Sequence, residues 1–290
     1  MESNLRTEFL EPTTISEAAA LVAQHGDDAK IIAGGASLVL LLSHRIIAPA
    51  VLVSLGRVAD YDFIRREADG LQIGALTRLR DAERSTAVRE FCPALARAYG
   101  VVGNVRVRNQ GTVGGNLGEA DFASDPPAML AALDARVGVT STTGTREIPL
   151  RDFFLGFFST ALQPGEIITQ IFVPALPAAA RAAYFKFTAG SNESRPTAAV
   201  AAVADFDEGN RCRDLRVAIG AAVETPQRLP QAEAMARGEK LTDALIETIA
   251  DEYARTLEPI DDAFQSAWYR REVIRVFVRR ALTEVRDGNR

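Results

Sequence analysis

The sequence predicts an α+β protein of two domains, and three observations carry that expectation. A helix–strand–loop–helix–strand succession runs from Thr14 to Leu55, the order of a small α/β unit with a parallel sheet. Two hairpin signals, Asp69-Gly70 and Thr143-Gly144, sit between strand-like runs further on. Beyond an Ala- and Pro-rich linker at Pro174–Arg181, three strands are followed by three helices. A chain of 290 residues has room for two such units.

Thr14-Ile15-Ser16-Glu17 reads as a capping box, with Ala18, Leu21 and Val22 as the apolar stripe of the helix it opens and Gly26 as the stop. A strand at Ala29–Ile32 runs into Ala33-Gly34-Gly35-Ala36-Ser37. An apolar helix begins at Leu38, and a second strand spans Val51–Leu55. Tyr61–Arg66 and Leu71–Ala75 make the first hairpin, a helical stretch covers about Leu79–Tyr99, and Gly103–Gly118 is dense in glycine and asparagine. Pro126-Pro127 opens a helix through Ala135, proline being suited to a first turn. Arg136–Thr140 and Arg146–Pro149 make the second hairpin, and Glu166–Val173 is a strand stopped by Pro174. After the linker come strands near Ala183–Thr188, Ala198–Phe206 and Leu215–Ala222. Helices follow at about Pro230–Arg237, Asp243–Leu257 and Asp262–Val285. The last sets Val273, Ile274, Phe277, Val278, Ala281 and Leu282 on one face and arginines on the other, the pattern of a packed helix with a solvated side.

With 47% hydrophobic and 24% charged residues, the chain should bury a full core without disulfides. A net charge of −5 argues against a nucleic-acid partner, which needs a basic face. Met1–Pro12 has no apolar stretch of signal-peptide type. The most apolar region, Leu38–Leu42 and Ile46–Leu55, is broken by Ser43, His44, Arg45 and Pro49, well short of the ~20 apolar residues of a membrane span. The expectation is a soluble cytoplasmic protein without a membrane span. Cys92 and Cys212, the only cysteines, cannot supply four thiolates to an iron–sulfur cluster. His25 and His44, the only histidines, exclude a multi-histidine metal site. With metal ligands and histidine triads so scarce, the chemistry is expected from a bound organic cofactor.

Two glycine-rich segments suggest where that cofactor lies. Gly34-Gly35 stands between a strand and a helix, and Gly114-Gly115-Asn116 lies within Gly111–Gly118. Glycine lets a backbone approach a ligand closely, and successive N–H groups near a helix start make a concave phosphate site. Ser37, Thr112 and Asn116 add side-chain donors, so the two loops suit a pyrophosphate gripped from both sides. Neither matches GxGxxG or GxxxxGK[ST], which disfavours a Rossmann dinucleotide site and a P-loop nucleotidase, and there is no GxSxG elbow. Asp125, just before Pro126-Pro127, reads as an N-cap, a ligand to a ribose or ribityl hydroxyl, or both.

Ala33-Gly34-Gly35-Ala36-Ser37 resembles the AGG-x-S loop of the FAD-binding subunits of carbon monoxide dehydrogenase and its relatives. Gly111-Thr112-Val113-Gly114-Gly115-Asn116 followed by Asp125 resembles their second loop. Xanthine dehydrogenase and aldehyde oxidase carry an equivalent domain. The similarity continues through Asp152-Phe153-Phe154, Pro164-Gly165-Glu166-Ile167-Ile168, Phe185-Lys186-Phe187 and Asp214-Leu215-Arg216, and so covers nearly the whole chain in order.

The resemblance implies a two-subdomain α/β FAD-binding domain of the PCMH/VAO type over residues 1–175. A C-terminal domain with a small antiparallel sheet and a helical bundle would follow over residues 178–290. It implies that Ala33, Gly34, Gly35, Ala36 and Ser37, with Thr112, Val113, Gly114, Gly115 and Asn116, hold the FAD diphosphate. Asp125 would contact the sugar-like portion, Ile168 would pack on the isoalloxazine, and Lys186 would lie near the flavin's polar edge. It also implies a large molybdenum-cofactor subunit, a small [2Fe–2S] subunit, a dimer of heterotrimers and an external electron acceptor. No residue of this chain need touch the primary substrate. Two departures stand out: Ala36 occupies a position often polar in the family, and Thr188-Ala189-Gly190-Ser191 lacks the arginines common there. They lend support to a rival, a nucleotide-binding assembly or regulatory module without redox turnover. A standalone flavin oxidoreductase is a third reading, against which no histidine or cysteine for covalent attachment adjoins either loop.

Overall fold

The computed structural model describes residues 7–191 and 193–288, so the first six residues of the N-terminal segment read above, Asn192 and the last two residues lie outside it. The chain opens with β1 (Glu8–Leu10), α1 (Ile15–His25), β2 (Ala29–Ile32), α2 (Leu38–Ser43) and β3 (Val51–Ser54). The three strands form a parallel sheet in the order β1-β3-β2, in which β3 is central and buried at all four positions. A strand covered on both faces reads as a continuous apolar run, and Val51-Leu52-Val53 is one. The capping signal holds: Thr14 Oγ1 accepts from the Glu17 amide at 3.1 Å. The glutamate's return bond goes to the amide of Thr13 at 2.8 Å, one residue earlier than in a capping box. β1 went unread because three half-exposed residues between charges carry no period.

The second sheet contains β4 (Ile64–Glu67) and β5 (Gly70–Gly74), the hairpin across Asp69-Gly70. The helical stretch read at Leu79–Tyr99 is three helices, α3 (Leu79–Arg84), α4 (Thr86–Phe91) and α5 (Pro93–Gly100). Ser85 leaves helical geometry and caps α4 through the Val88 amide. Cys92, preceding Pro93, is forced extended (φ −157°, ψ 99°). The glycine-rich segment is also helical, as α6 (Val105–Gln110) and α7 (Val113–Glu119), and α8 (Pro126–Ala132) follows. Then come the hairpin β6 (Arg136–Ser141) and β7 (Gly144–Pro149), a small unread hairpin β8 (Phe154–Gly156) and β9 (Ser159–Thr160), and β10 (Ile167–Pro174). β10, last in sequence, inserts between the two earlier hairpins to give the antiparallel order β4-β5-β10-β6-β7.

The C-terminal part has β11 (Arg181–Phe187), β12 (Ala198–Phe206), β13 (Cys212–Gly220) and β14 (Gln227–Arg228) in one antiparallel sheet. Helices α9 (Pro230–Ala234), α10 (Asp243–Thr256) and α11 (Ala267–Asp287) follow. β12 is buried along its length, and its period of two divides it. Val200, Ala202 and Ala204 face the core under α10 and α11, whereas Ala199, Ala201 and Val203 share a core with α5 and α8 of the N-terminal part. Small alanines let α8 lie close to this sheet, so the two halves are joined by a common apolar layer. Asp262–Ser266 is not helical: the Asp262 carboxylate accepts from the Phe264 and Gln265 amides, and α11 starts only after Ser266. No helix among the described residues is long and apolar enough to cross a membrane.

Candidate functional site

A cleft runs between the parallel sheet and the five-stranded sheet, bounded by the β2–α2 loop, α7 and β10. It has two lobes. One, of about 410 Å³, is called the polar lobe because it gathers the charged groups Asp121, Asp125, Lys186 and Arg195 on a wall that is otherwise largely apolar; Ala33–Ser37, Thr112, Gly115 and Asn116 also line it. The other, of about 630 Å³, is apolar and is lined by Leu38, Leu41, Ile46, Leu55, Ile167 and Ile168. Ile31, Ala33, Leu38, Gly115 and Glu119 border both, so the lobes meet at the first glycine loop.

That loop is an open row of donors. Among the described residues, the amides of Gly34, Gly35, Ala36, Ser37 and Leu38 have no protein acceptor. Gly35 takes φ +72°, a conformation a side chain resists. Successive unpaired N–H groups turned by a left-handed residue make an anion-binding concavity. Gly34 has a different duty: a Cβ there would stand 1.7 Å from the Gln110 carbonyl oxygen, so glycine is what allows the loop to lie against the end of α6. The Arg78 guanidinium donates to the same carbonyl, fixing it in place.

The second segment corrects the reading of two equivalent loops. The first four amides of α7 are already committed: Val113 to Thr77 O (2.9 Å), Gly114 to Ala75 O (2.8 Å), Gly115 to Thr112 Oγ1 (3.0 Å) and Asn116 to Thr112 O (2.9 Å). Thr112 is thus an N-cap, and Gly114 is small because a Cβ would lie 2.6 Å from that of Ala75. Val113 is buried in the core and lines neither lobe. The Asn116 amide exchanges hydrogen bonds with Ser124 (2.8 and 3.0 Å), and Ser37 donates to Glu119 at 2.6 Å. The segment therefore shapes the cleft wall with only the Thr112 amide, of those at Gly111–Asn116, left without a protein acceptor among the described residues, and the row of successive free amides belongs to the first loop.

Asp125 precedes α8 but does not cap it: its backbone is helical and its side chain bonds no amide there. Its carboxylate turns instead to the C-terminal part, accepting from Tyr184 Oη at 2.8 Å and from Lys186 Nζ at 3.0 Å. Lys186 also donates to Val101 O at 2.8 Å. The Asp125 carboxyl is raised to about 6 overall: burial pushes it up, the Lys186 charge and the hydrogen bonds from Tyr184 and Lys186 pull it part of the way back, and the Asp121 charge adds to the rise. Burial, then the neighbouring Asp125 charge, raises the Tyr184 phenol well above 10.

Ile168 lines the apolar lobe and Lys186 the polar one, on either side of the residues the two lobes share. The residues that sequence reasoning missed are Glu119, Asp121, Ser124, Tyr184 and Arg195. Tyr184 had a signal, being two positions before Lys186 on a strand and hence on the same face. Arg195 had none. Lying beyond the arginine-poor stretch after Lys186, it reaches back to pair with Asp121 at 2.5 Å and lies over the Phe122 ring, at the mouth of the polar lobe.

Comparison with known proteins places this architecture. Residues 5–176 match the family model described as the FAD binding domain in molybdopterin dehydrogenase, and residues 183–285 match the CO dehydrogenase flavoprotein C-terminal domain. The chain is 34% identical to the glyceraldehyde dehydrogenase medium chain of Sulfolobus acidocaldarius over 89% of its length and 91% of that protein. It is 31% identical to the carbon monoxide dehydrogenase medium chain of Hydrogenophaga pseudoflava, covering 96% of each. A solved carbon monoxide dehydrogenase chain from H. pseudoflava superposes with a TM-score of 0.92 at 32% identity over 97% of both chains. A chain of quinoline 2-oxidoreductase from Pseudomonas putida 86 gives 0.91 at 28% identity over 98% of both. The protein belongs to the FAD-binding medium subunits of the carbon monoxide dehydrogenase and xanthine dehydrogenase family of molybdenum hydroxylases, as the flavoprotein component of an oxidoreductase.

Proposed function

We propose that the two-lobed cleft binds FAD and that this chain passes electrons onward to an external acceptor. The electrons would come from a molybdenum cofactor in a large partner subunit, by way of [2Fe–2S] clusters in a small one. The single observation that carries the cofactor's placement is the row of unclaimed amides at Gly34–Leu38, set where the two lobes meet, one of them holding the charged groups Asp125 and Lys186. FAD has that plan, two flat ring systems joined by a diphosphate. We assign the diphosphate to these amides, with Ala33–Ser37 as the cradle and Thr112, Gly114, Gly115 and Asn116 as the opposing wall; Val113 supports that wall from the core.

The flavin end belongs in the polar lobe, where Lys186 supplies a buried cation and Asp125 a carboxyl for the sugar-like chain. Ile168 then packs on the adenine end. When bound, FAD supplies the redox chemistry, exchanging electrons singly or in pairs. The chain's own residues orient it, keep water from its apolar end, and hold positive charge beside the ring. The surrounding assembly is proposed as a cytoplasmic dimer of heterotrimers, consistent with relatives named as medium or FAD subunits.

Titration of the FAD-free protein with FAD tests this reading. One FAD per chain with a flavin spectrum bleached by dithionite is expected, and a chain that takes up none would sink it. Co-purification with molybdenum and iron–sulfur subunits tests the assembly. Lys186→Met is expected to retain FAD but lower its midpoint potential by roughly 30–60 mV, the equivalent of one charge-assisted hydrogen bond for a two-electron couple. An unchanged potential would remove Lys186 from the flavin's surroundings.

A further inference from the structure

The Asp125 carboxylate is held by two donors from one strand of the other half of the protein, and the two are not equivalent. Lys186 lines the polar lobe, whereas Tyr184 does not; it reaches Asp125 from behind, out of a fully buried position whose far side borders a separate cavity. Tyr184 therefore acts on the cofactor lobe only through Asp125. We infer that Tyr184 is a positioning residue for redox-linked proton uptake: its hydroxyl holds Asp125 as the carboxyl that gains a proton when electrons arrive on the bound flavin. This rests on the FAD reading above.

The charged groups around the carboxylate define what it can do. Lys186 and Tyr184 face it from β11, Asp121 from the α7–α8 turn, and Arg97 of α5 acts on Tyr184. Arg195 neutralises Asp121 from the loop after β11. The Tyr184 phenol stays protonated and cannot take up another proton. Asp125 can, because a carboxyl poised at about 6 is mostly ionised at neutral pH, and added negative charge nearby drives it across neutrality. Two electrons entering the site are then matched by two protons from solvent. One bonds to the reduced cofactor and the other forms the O–H of Asp125; no bond to Tyr184 breaks, and both protons leave on reoxidation.

The test is the midpoint potential of the FAD-loaded full chain as a function of pH, in the wild type, Tyr184→Phe and Asp125→Asn. The wild type is expected to show a change of slope near the pH of about 6 at which Asp125 titrates. Loss of the hydroxyl removes a bond that favours the ionised carboxylate, so in Tyr184→Phe the break moves up by about one pH unit. In Asp125→Asn it disappears. FAD bound with the break unmoved in Tyr184→Phe, or still present in Asp125→Asn, would overturn the inference. A merely structural tyrosine would lower thermal stability without moving the break. If the wild type takes up no FAD, the cofactor reading fails first. Infrared titration of the Asp125 carboxyl in the FAD-free protein then decides the tyrosine's role, and a titration unmoved in Tyr184→Phe overturns it.

Discussion

Gly34→Ala is expected to destabilise the FAD-free protein by about 3 kcal/mol and to weaken FAD uptake at least ~10-fold. The added carbon would stand 1.7 Å from the Gln110 carbonyl oxygen and 2.7 Å from its carbon. Both atoms are backbone, and the Arg78 Nη1 that holds the carbonyl would itself stand 2.8 Å from the new carbon, so no rotation of one side chain relieves the clash. Either the donor loop moves away from the end of α6, and its amides no longer converge, or α6 is displaced and carries the cap of α7 with it. Gly118→Ala is the control, since its Cβ would meet only Ile168 Cδ1 at 3.5 Å, an ordinary contact. There the gain in helix propensity, about 0.5–1 kcal/mol, is expected to show as slight stabilisation. Urea unfolding and a fluorescence titration with FAD measure both variants. A Gly34→Ala protein as stable as the wild type would mean the two segments are not locked together.

Arg270→Ala is expected to cost about 3–5 kcal/mol, a loss borne by the C-terminal half. Arg270 is only 3% exposed, yet each of its terminal nitrogens is used. Nη1 donates to Thr197 O (2.6 Å) and Ala221 O (2.7 Å), and Nη2 pairs with Asp262 at 2.6 Å. Those carbonyls close the ends of β12 and β13, while Asp262 organises the turn before α11 through two amides. Truncation leaves an acceptor set without its cation in a buried place, which is costlier than never having had the charge. Denaturant unfolding followed by far-ultraviolet circular dichroism checks the magnitude. Arg270→Lys should recover only part of the loss, because one ammonium cannot span three acceptors in the fork geometry of a guanidinium. A loss under about 1 kcal/mol would show the network to be dispensable.

The Arg270 network illustrates what a single sequence hides. Its partners lie 73, 49 and 8 residues away, and nothing local marks the arginine among the others of α11. The stripe Val273, Ile274, Phe277, Val278, Ala281 and Leu282 was legible because helical period is a local property, and the structure buries all six. The strand at Ala29–Ile32 and both hairpins were legible for the same reason, since turn chemistry at Asp69-Gly70 and Thr143-Gly144 fixes pairing over a few residues. α7 was misread because glycine usually weakens helices. Here Thr112 caps the turn, and Gly114 is retained for contact with Ala75. Asp125 before two prolines had the form of an N-cap, but two donors from β11 outcompete the local amides for its carboxylate.

The first glycine loop, singled out by its sequence, lies where the two lobes of the cleft meet. By itself the sequence pointed to a phosphate-bearing organic cofactor as the source of this chain's chemistry, because residue types set which ligands a chain can offer. It also determined the α+β layout, through periods and turns that act over a handful of positions. Only the tertiary structure decided which amides are free, since a donor is available only if nothing folded against it has claimed it. That test left the row at Gly34–Leu38 open and closed the one at Val113–Asn116. It likewise set Tyr184 behind Asp125 and brought Arg195 to the polar lobe, because such placements depend on how sheets and helices pack across the cleft.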